Sequence, residues 1–239
     1  MINTFRWPVL FLLLLPLFAR AESRRIVPIS LSRPEGDRQA LVYAAPPTSS
    51  ALRPLVLLLH GHGGSAAHVL GQERQASPLS VWLDIADREN LIVVAPDGTK
   101  APGGKRGWND GRTDPRGSPN ADDLGFLAAL IDREIAVDHA DPDRIYVMGM
   151  SNGGMMALRL AIDLQPRLAA VAAVSSSQPT QAGSPKPNHP LSVLIIAGTA
   201  DPVVPYGGGT IQLRKTAHGT VLGAEATLAL WREADGLDS

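Results

Sequence analysis

The chain has 239 residues, of which 44% are hydrophobic, enough to fill the core of one well-packed domain. Its formal net charge is −1 and its charges are dispersed, so nothing in the composition favours a nucleic acid or polyanion partner. There is no cysteine, which excludes a cysteine nucleophile, a zinc–thiolate site and a lipid-modified N-terminal cysteine.

The chain opens with Arg6, an almost wholly apolar run over 7–18, and the small-residue stretch Ala19-Arg20-Ala21. That order predicts a signal peptide over 1–21 and a mature domain over 22–239. The run is shorter than the ~20 residues that cross a bilayer, so export is expected and a stable membrane anchor is not. The expected location is therefore secreted, extracellular or periplasmic.

Two strands are expected at 26–31 and 40–44, around the turn-rich Arg33-Pro34-Glu35-Gly36-Asp37. The continuous apolar run 55–59 reads as a strand buried on both faces, ended abruptly by His60-Gly61-His62-Gly63-Gly64. A helix over 79–89 and a buried strand over 91–95 follow. The segment 99–120, dominated by Gly, Pro, Arg and Asp, reads as a long irregular and functional connection. Asp122 is placed to cap a helix whose buried face is Leu124, Leu127, Ile131 and Ile135. Asp141-Pro142 is expected to break the chain before a strand at 145–148. A helix over 152–162, a strand over 168–174, a surface excursion over 175–190, a strand over 193–197 and a helix beginning at 225–231 complete the pass. Strands alternating with helices at crossover spacing predict a mostly parallel sheet covered on both faces, with no repeat and no second domain.

The strongest chemical signal is Gly149-Met150-Ser151-Asn152-Gly153, set between a strand and a helix. A sharp turn there lifts the Ser151 hydroxyl above the sheet, and its glycines remove side chains where strand and helix would collide. Ser151 is thus the candidate nucleophile. The loop Gly61-His62-Gly63-Gly64 follows an earlier strand, where a second oxyanion donor belongs. Gly61 or His62 would serve with the N–H of Asn152, and sequence does not separate the two. His60 and His62 lack a well-spaced acidic third ligand, so no metal is expected. Asp201, just past the strand at 193–197, is the candidate acidic member of a triad, with Asp97 and Asp110 weaker because both precede the serine. The base is the difficulty. Only His218 follows Asp201, which makes it the candidate base by position, whereas His139 and His189 suit surface roles and His68 a first helical turn. Trp108 is a candidate aromatic wall of the substrate site, with core packing as the alternative.

Taken in order, these residues resemble the secreted poly(3-hydroxybutyrate) depolymerase and feruloyl esterase group of α/β-hydrolases. The matching stretches are Leu58-Leu59-His60-Gly61, Val94-Ala95-Pro96-Asp97-Gly98, Trp108-Asn109, Asp122-Asp123-Leu124-Gly125-Phe126, Asp141-Pro142-Asp143-Arg144-Ile145-Tyr146-Val147 and Gly149-Met150-Ser151-Asn152-Gly153-Gly154-Met155. Gly198-Thr199-Ala200-Asp201, Val204-Pro205-Tyr206-Gly207-Gly208 and Glu225-Ala226-Thr227 with Trp231 close the series. The resemblance implies an α/β-hydrolase fold, Ser151 as nucleophile, Asp201 as acid, and an oxyanion hole around Gly61, His62 and Asn152. It further implies cleavage of small or polymeric esters of hydroxyalkanoates or hydroxycinnamates without a cofactor. Two departures stand out. The group often carries a cysteine where His62 stands, and its catalytic histidine lies beyond the helix near Trp231, so a chain lacking its C-terminal strand is expected. A peptidase of the same fold, or an exported binding protein that retains the elbow without turnover, are the competing readings.

Overall fold

The computed structural model describes residues 24–47, 49–180 and 186–237. The expected signal peptide lies outside the described residues. Two antiparallel strands come first, β1 (Val27–Arg33) and β2 (Gly36–Ala44), followed by β3 (Arg53–Leu59), the short helix α1 (Ala66–Val69), α2 (Trp82–Glu89) and β4 (Ile92–Pro96). The expected irregular segment contains a small two-stranded ribbon, β5 (Thr99–Lys100) and β6 (Arg106–Gly107). Then come α3 (Asp123–Val137), β7 (Ala140–Met150), α4 (Asn152–Asp163), β8 (Ala170–Val174) and β9 (Ser192–Ile196). A second ribbon, β10 (Gly209–Leu213) with β11 (Thr216–Val221), precedes α5 (Ala224–Ala234).

Seven strands form one sheet in the order β1-β2-β4-β3-β7-β8-β9, with every neighbouring pair from β4 to β9 parallel and β2 alone running against the rest. The central strand explains itself. Side chains alternate across a strand, so Leu55, Leu57 and Leu59 join Phe126, Leu127, Leu130, Ile131, Met156, Leu160 and Trp231 on one face. Val56 and Leu58 join Leu70, Leu79, Leu83 and Ala86 on the other. With helices on both faces, an uninterrupted apolar strand is what burial requires. Asp122 caps α3 as expected, its carboxylate accepting from the Gly125 N–H at 2.9 Å.

One expectation is corrected, and one element has no counterpart in the sequence reading. Asp141-Pro142 does not interrupt β7, because the ladder to β3 shifts register between Arg53 and Leu55 and absorbs the irregularity there. The ribbon β10–β11 was not anticipated. Its turn residues are Arg214 and Lys215, and Arg214 adopts φ 59° at the first central position of a two-residue turn, where glycine usually supplies the signal.

Candidate active site

Ser151 sits at the carboxyl end of β7, immediately before α4, with φ 54° and ψ −123°. This is a region that side chains other than glycine rarely occupy, and its strain is held by the surroundings. The Ser151 N–H donates to the Val174 carbonyl at 2.8 Å on the neighbouring strand, and its carbonyl accepts from Met155 N–H at 3.0 Å. The turn is tight because Gly149 and Gly153 lie against one another: a Cβ on Gly149 would stand 2.1 Å from the Gly153 carbonyl oxygen.

Asn152 begins α4 and is buried. Its side chain is fully engaged. Oδ1 accepts from the Trp108 N–H at 2.7 Å, while Nδ2 donates to the Trp108 carbonyl at 3.1 Å and to Asp110 Oδ2 at 2.7 Å. Asp110 is itself buried and also accepts from the backbone N–H and the Nε of Arg112, both at 3.1 Å. Burial pushes the Asp110 carboxyl up, with the Arg112 guanidinium opposing. The neighbouring Asn109 is fixed from two helices, by Asp123 Oδ2 on α3 and by Arg159 Nη1 on α4. The segment Trp108–Asp110 therefore clamps the residue that follows the nucleophile. Among the described residues, Gly61, His62 and Asn152 donate their backbone N–H groups to no loop or side-chain acceptor, as oxyanion donors require.

The two loop histidines have separate duties. His60 is buried, accepts from the Gly98 N–H at its Nε2 (2.9 Å), and directs Nδ1 to the Gly61 carbonyl at 2.8 Å. Those partners fix a neutral ring with its proton on Nδ1, and burial holds its pKa below the ordinary histidine value. His60 thus ties the Gly61 loop to Gly98. His62 is half-exposed at the cavity, its ring centroid 5.4 Å from that of His218, and burial followed by the nearby His218 lowers its pKa.

A cavity of about 310 Å³ opens above Ser151. Gly61, His62, Asn152, Asp201, Arg112 and His218 border it, with Met150, Val203, Val204, Ile211 and Leu213 as its apolar wall. The β10–β11 ribbon delivers His218 to this space. His218 Nδ1 lies 2.9 Å from Oδ2 of Asp114, a buried carboxylate that sequence reasoning overlooked. Burial would raise the Asp114 carboxyl, but the Gly117 N–H and His218 outweigh it and hold it below the usual carboxylate range. Gly117 must be a glycine here, because a Cβ would stand 2.1 Å from Asp114 Oδ2 and 2.7 Å from His218 Nδ1.

Asp201 reaches the same cavity but not His218. Its Oδ1 accepts from the N–H groups of Val203 and Val204, at 2.8 and 2.9 Å, and its Oδ2 makes no hydrogen bond among the described residues. Trp108 is a correction. It is fully buried, stacks 4.9 Å from His60 and donates its indole N–H to the His60 carbonyl, so it supports the oxyanion loop from below and does not line the cavity. Among the described residues, no group of three or more His, Cys, Asp or Glu is arranged to hold a metal ion.

A serine at a strained strand-to-helix turn, on a mostly parallel sheet with helices on both faces, defines an α/β-hydrolase. The chain belongs to the phospholipase/carboxylesterase family, whose pattern matches residues 46–221. It is 36% identical over 178 residues to "Putative esterase NocK" of Nocardia uniformis subsp. tsuyamanensis, covering 72% of this chain and 48% of that one. It is 29% identical over 192 residues to "Feruloyl esterase B" of Piromyces equi, covering 79% and 34% respectively. The chain thus spans half or less of the length of these curated relatives. Among solved structures, the carboxylesterase of Bacillus cereus superposes with a TM-score of 0.55 at 22% identity, covering 83% of this chain and 81% of that one.

Proposed function

We propose that this protein hydrolyses carboxylic esters through an acyl-enzyme on Ser151. The observation that carries the reading is the Ser151 turn itself, strained and opening on a cavity bordered by Gly61, His62 and Asn152. The hydroxyl gives its proton to the base and attacks the ester carbonyl, and the backbone N–H of Asn152 with that of Gly61 or His62 holds the oxyanion. The alcohol leaves with that proton, and water then cleaves the acyl-enzyme to release the acid. His218 is the base in this reading. With Nδ1–H donated to Asp114, its Nε2 is the proton-accepting nitrogen, which is the tautomer a general base needs. The free Oδ2 of Asp201 favours a second reading, in which that carboxylate orients the base as the family resemblance implies.

Export through cleavage after residue 21 is part of the proposal, supported by the leader's composition and checked by N-terminal sequencing of the mature protein. Hydroxyalkanoate and hydroxycinnamoyl esters are the proposed substrates, resting on the family resemblance. Nitrophenyl butyrate should give a burst of nitrophenol, and Ser151→Ala should reduce turnover by roughly 10⁴-fold or more. Correctly folded protein without any esterolysis would overturn the assignment in favour of a non-catalytic binding protein, and faster cleavage of peptides than of esters would favour a peptidase.

A further inference from the structure

Arg112 lies beside the nucleophile and the chemistry above does not use it. Its residue is 7% exposed, and its side chain 4%. The Nε and the backbone N–H answer Asp110, and the methylene stem packs beneath β11, where a Cβ on Gly219 would stand 3.2 Å from Arg112 Cδ. Neither terminal Nη nitrogen has a hydrogen-bond acceptor among the described residues, and neither is sealed away from solvent. Arg112 borders the cavity that Ser151 also borders. The guanidinium is therefore anchored by its Nε edge, its Nη groups are left without an acceptor among the described residues, and Arg112 forms part of the cavity wall.

Pairing with Asp110 uses only the Nε edge of that guanidinium. Asp110 already accepts from Asn152 Nδ2 and the Arg112 backbone N–H, and a single Nε contact completes it. The paired Nη groups form a planar fork suited to two oxygens of one anion, and a nearly dry wall strengthens that contact. The other charged or chargeable groups bordering the cavity are His62, His218 and Asp201, the last with one oxygen already occupied by the Val203 and Val204 N–H groups.

We propose that Arg112 is an anchor for a carboxylate on the substrate, so that the preferred esters are those whose leaving alcohol is itself a hydroxy acid with a free carboxylate. Short linear hydroxyalkanoate oligomers have this chemistry at their acid end. The inference rests on ester hydrolysis at Ser151 and specifies the substrate that this site selects. The apolar wall of Met150, Val203, Val204, Ile211 and Leu213 receives the short alkyl groups of such a substrate.

The test compares the linear dimer of 3-hydroxybutyrate with the same dimer capped as its terminal amide, following cleavage of the internal ester by chromatography. Wild-type protein should favour the free acid by about tenfold or more in kcat/KM, mainly through KM. That ratio should fall to near one in Arg112→Met and be partly retained in Arg112→Lys. Equal rates on both dimers in the wild type, or an unchanged ratio in Arg112→Met, overturn the anchor. Because Arg112 is buried, a second arm independent of the folding of Arg112→Met titrates 3-hydroxybutyrate calorimetrically into Ser151→Ala. Binding that weakens as salt rises supports the anchor, and no binding counts against it. Binding without hydrolysis of either dimer defeats the esterase reading alone, whereas hydrolysis without preference defeats the anchor alone.

Discussion

Ser151 and Asn152 leave a central strand and enter a helix within the packed core, whereas His218 rides on a two-stranded ribbon with most residues facing solvent. On the first side the clamp around Ser151 is held more than once: Asn152 by Trp108 and Asp110, Asn109 by Asp123 and Arg159. On the second side the imidazole depends on one carboxylate, Asp114, and the ribbon is tied down by few buried side chains, chiefly Ile211 and Val221. The difference teaches that the proposed oxyanion geometry is part of the fold, while the placement of the proposed base is a local and separable achievement. Local openings cost least where buried apolar contacts are few.

Removing the imidazole should have the largest effect. His218→Asn is expected to lower kcat by roughly 10³-fold with little change in melting temperature, and Asp114→Asn should follow it at a smaller loss. Parallel rate and melting measurements check this. If His218→Asn retains its rate while Asp201→Asn loses it, the base lies elsewhere and the second reading takes over.

A smaller, opposite pattern is expected on the core side. Asp110→Asn leaves an amide where Asn152 Nδ2 and Arg112 need an acceptor, so it should destabilise the protein by about 4 kcal/mol, in the range for breaking a buried pair. Urea unfolding measures this, and a loss no larger than that of a surface substitution would remove the contrast between the two sides. The smallest change sharpens it. Arg214→Gly relieves the positive φ of the ribbon turn and should stabilise the ribbon by at most about 1 kcal/mol. Slower amide exchange at Thr216–Val221, with exchange in β7 unchanged, is the expected reading.

The same contrast decides what could be read from the sequence. The elbow was legible because Gly149 and Gly153 are demanded by close backbone approach and sit at fixed offsets from Ser151. The central strand and the Asp122 cap were legible because an apolar run and an Asx cap act over a few residues. The Asp114–His218 pair was not, since its partners are 104 positions apart and the ribbon joining them carries Arg-Lys where a turn-forming glycine would have announced it. Asp114 also lies in a Gly-, Pro- and Arg-rich stretch whose composition says only that it is irregular. Trp108 misled for a related reason: an aromatic next to a functional loop suits a wall or a floor equally, and only its burial under His60 decides for the floor.

Asp110 joins two properties that a lineage would otherwise alter independently. Its carboxylate receives both Asn152 and Arg112, so the proposed oxyanion residue and the proposed substrate anchor share one support. Descendants that abandon the arginine to accept uncharged alcohols would leave that carboxylate without its cation. Positions 110 and 112 should therefore be replaced together across relatives, and a broadened substrate range should arrive as a paired substitution rather than a single step.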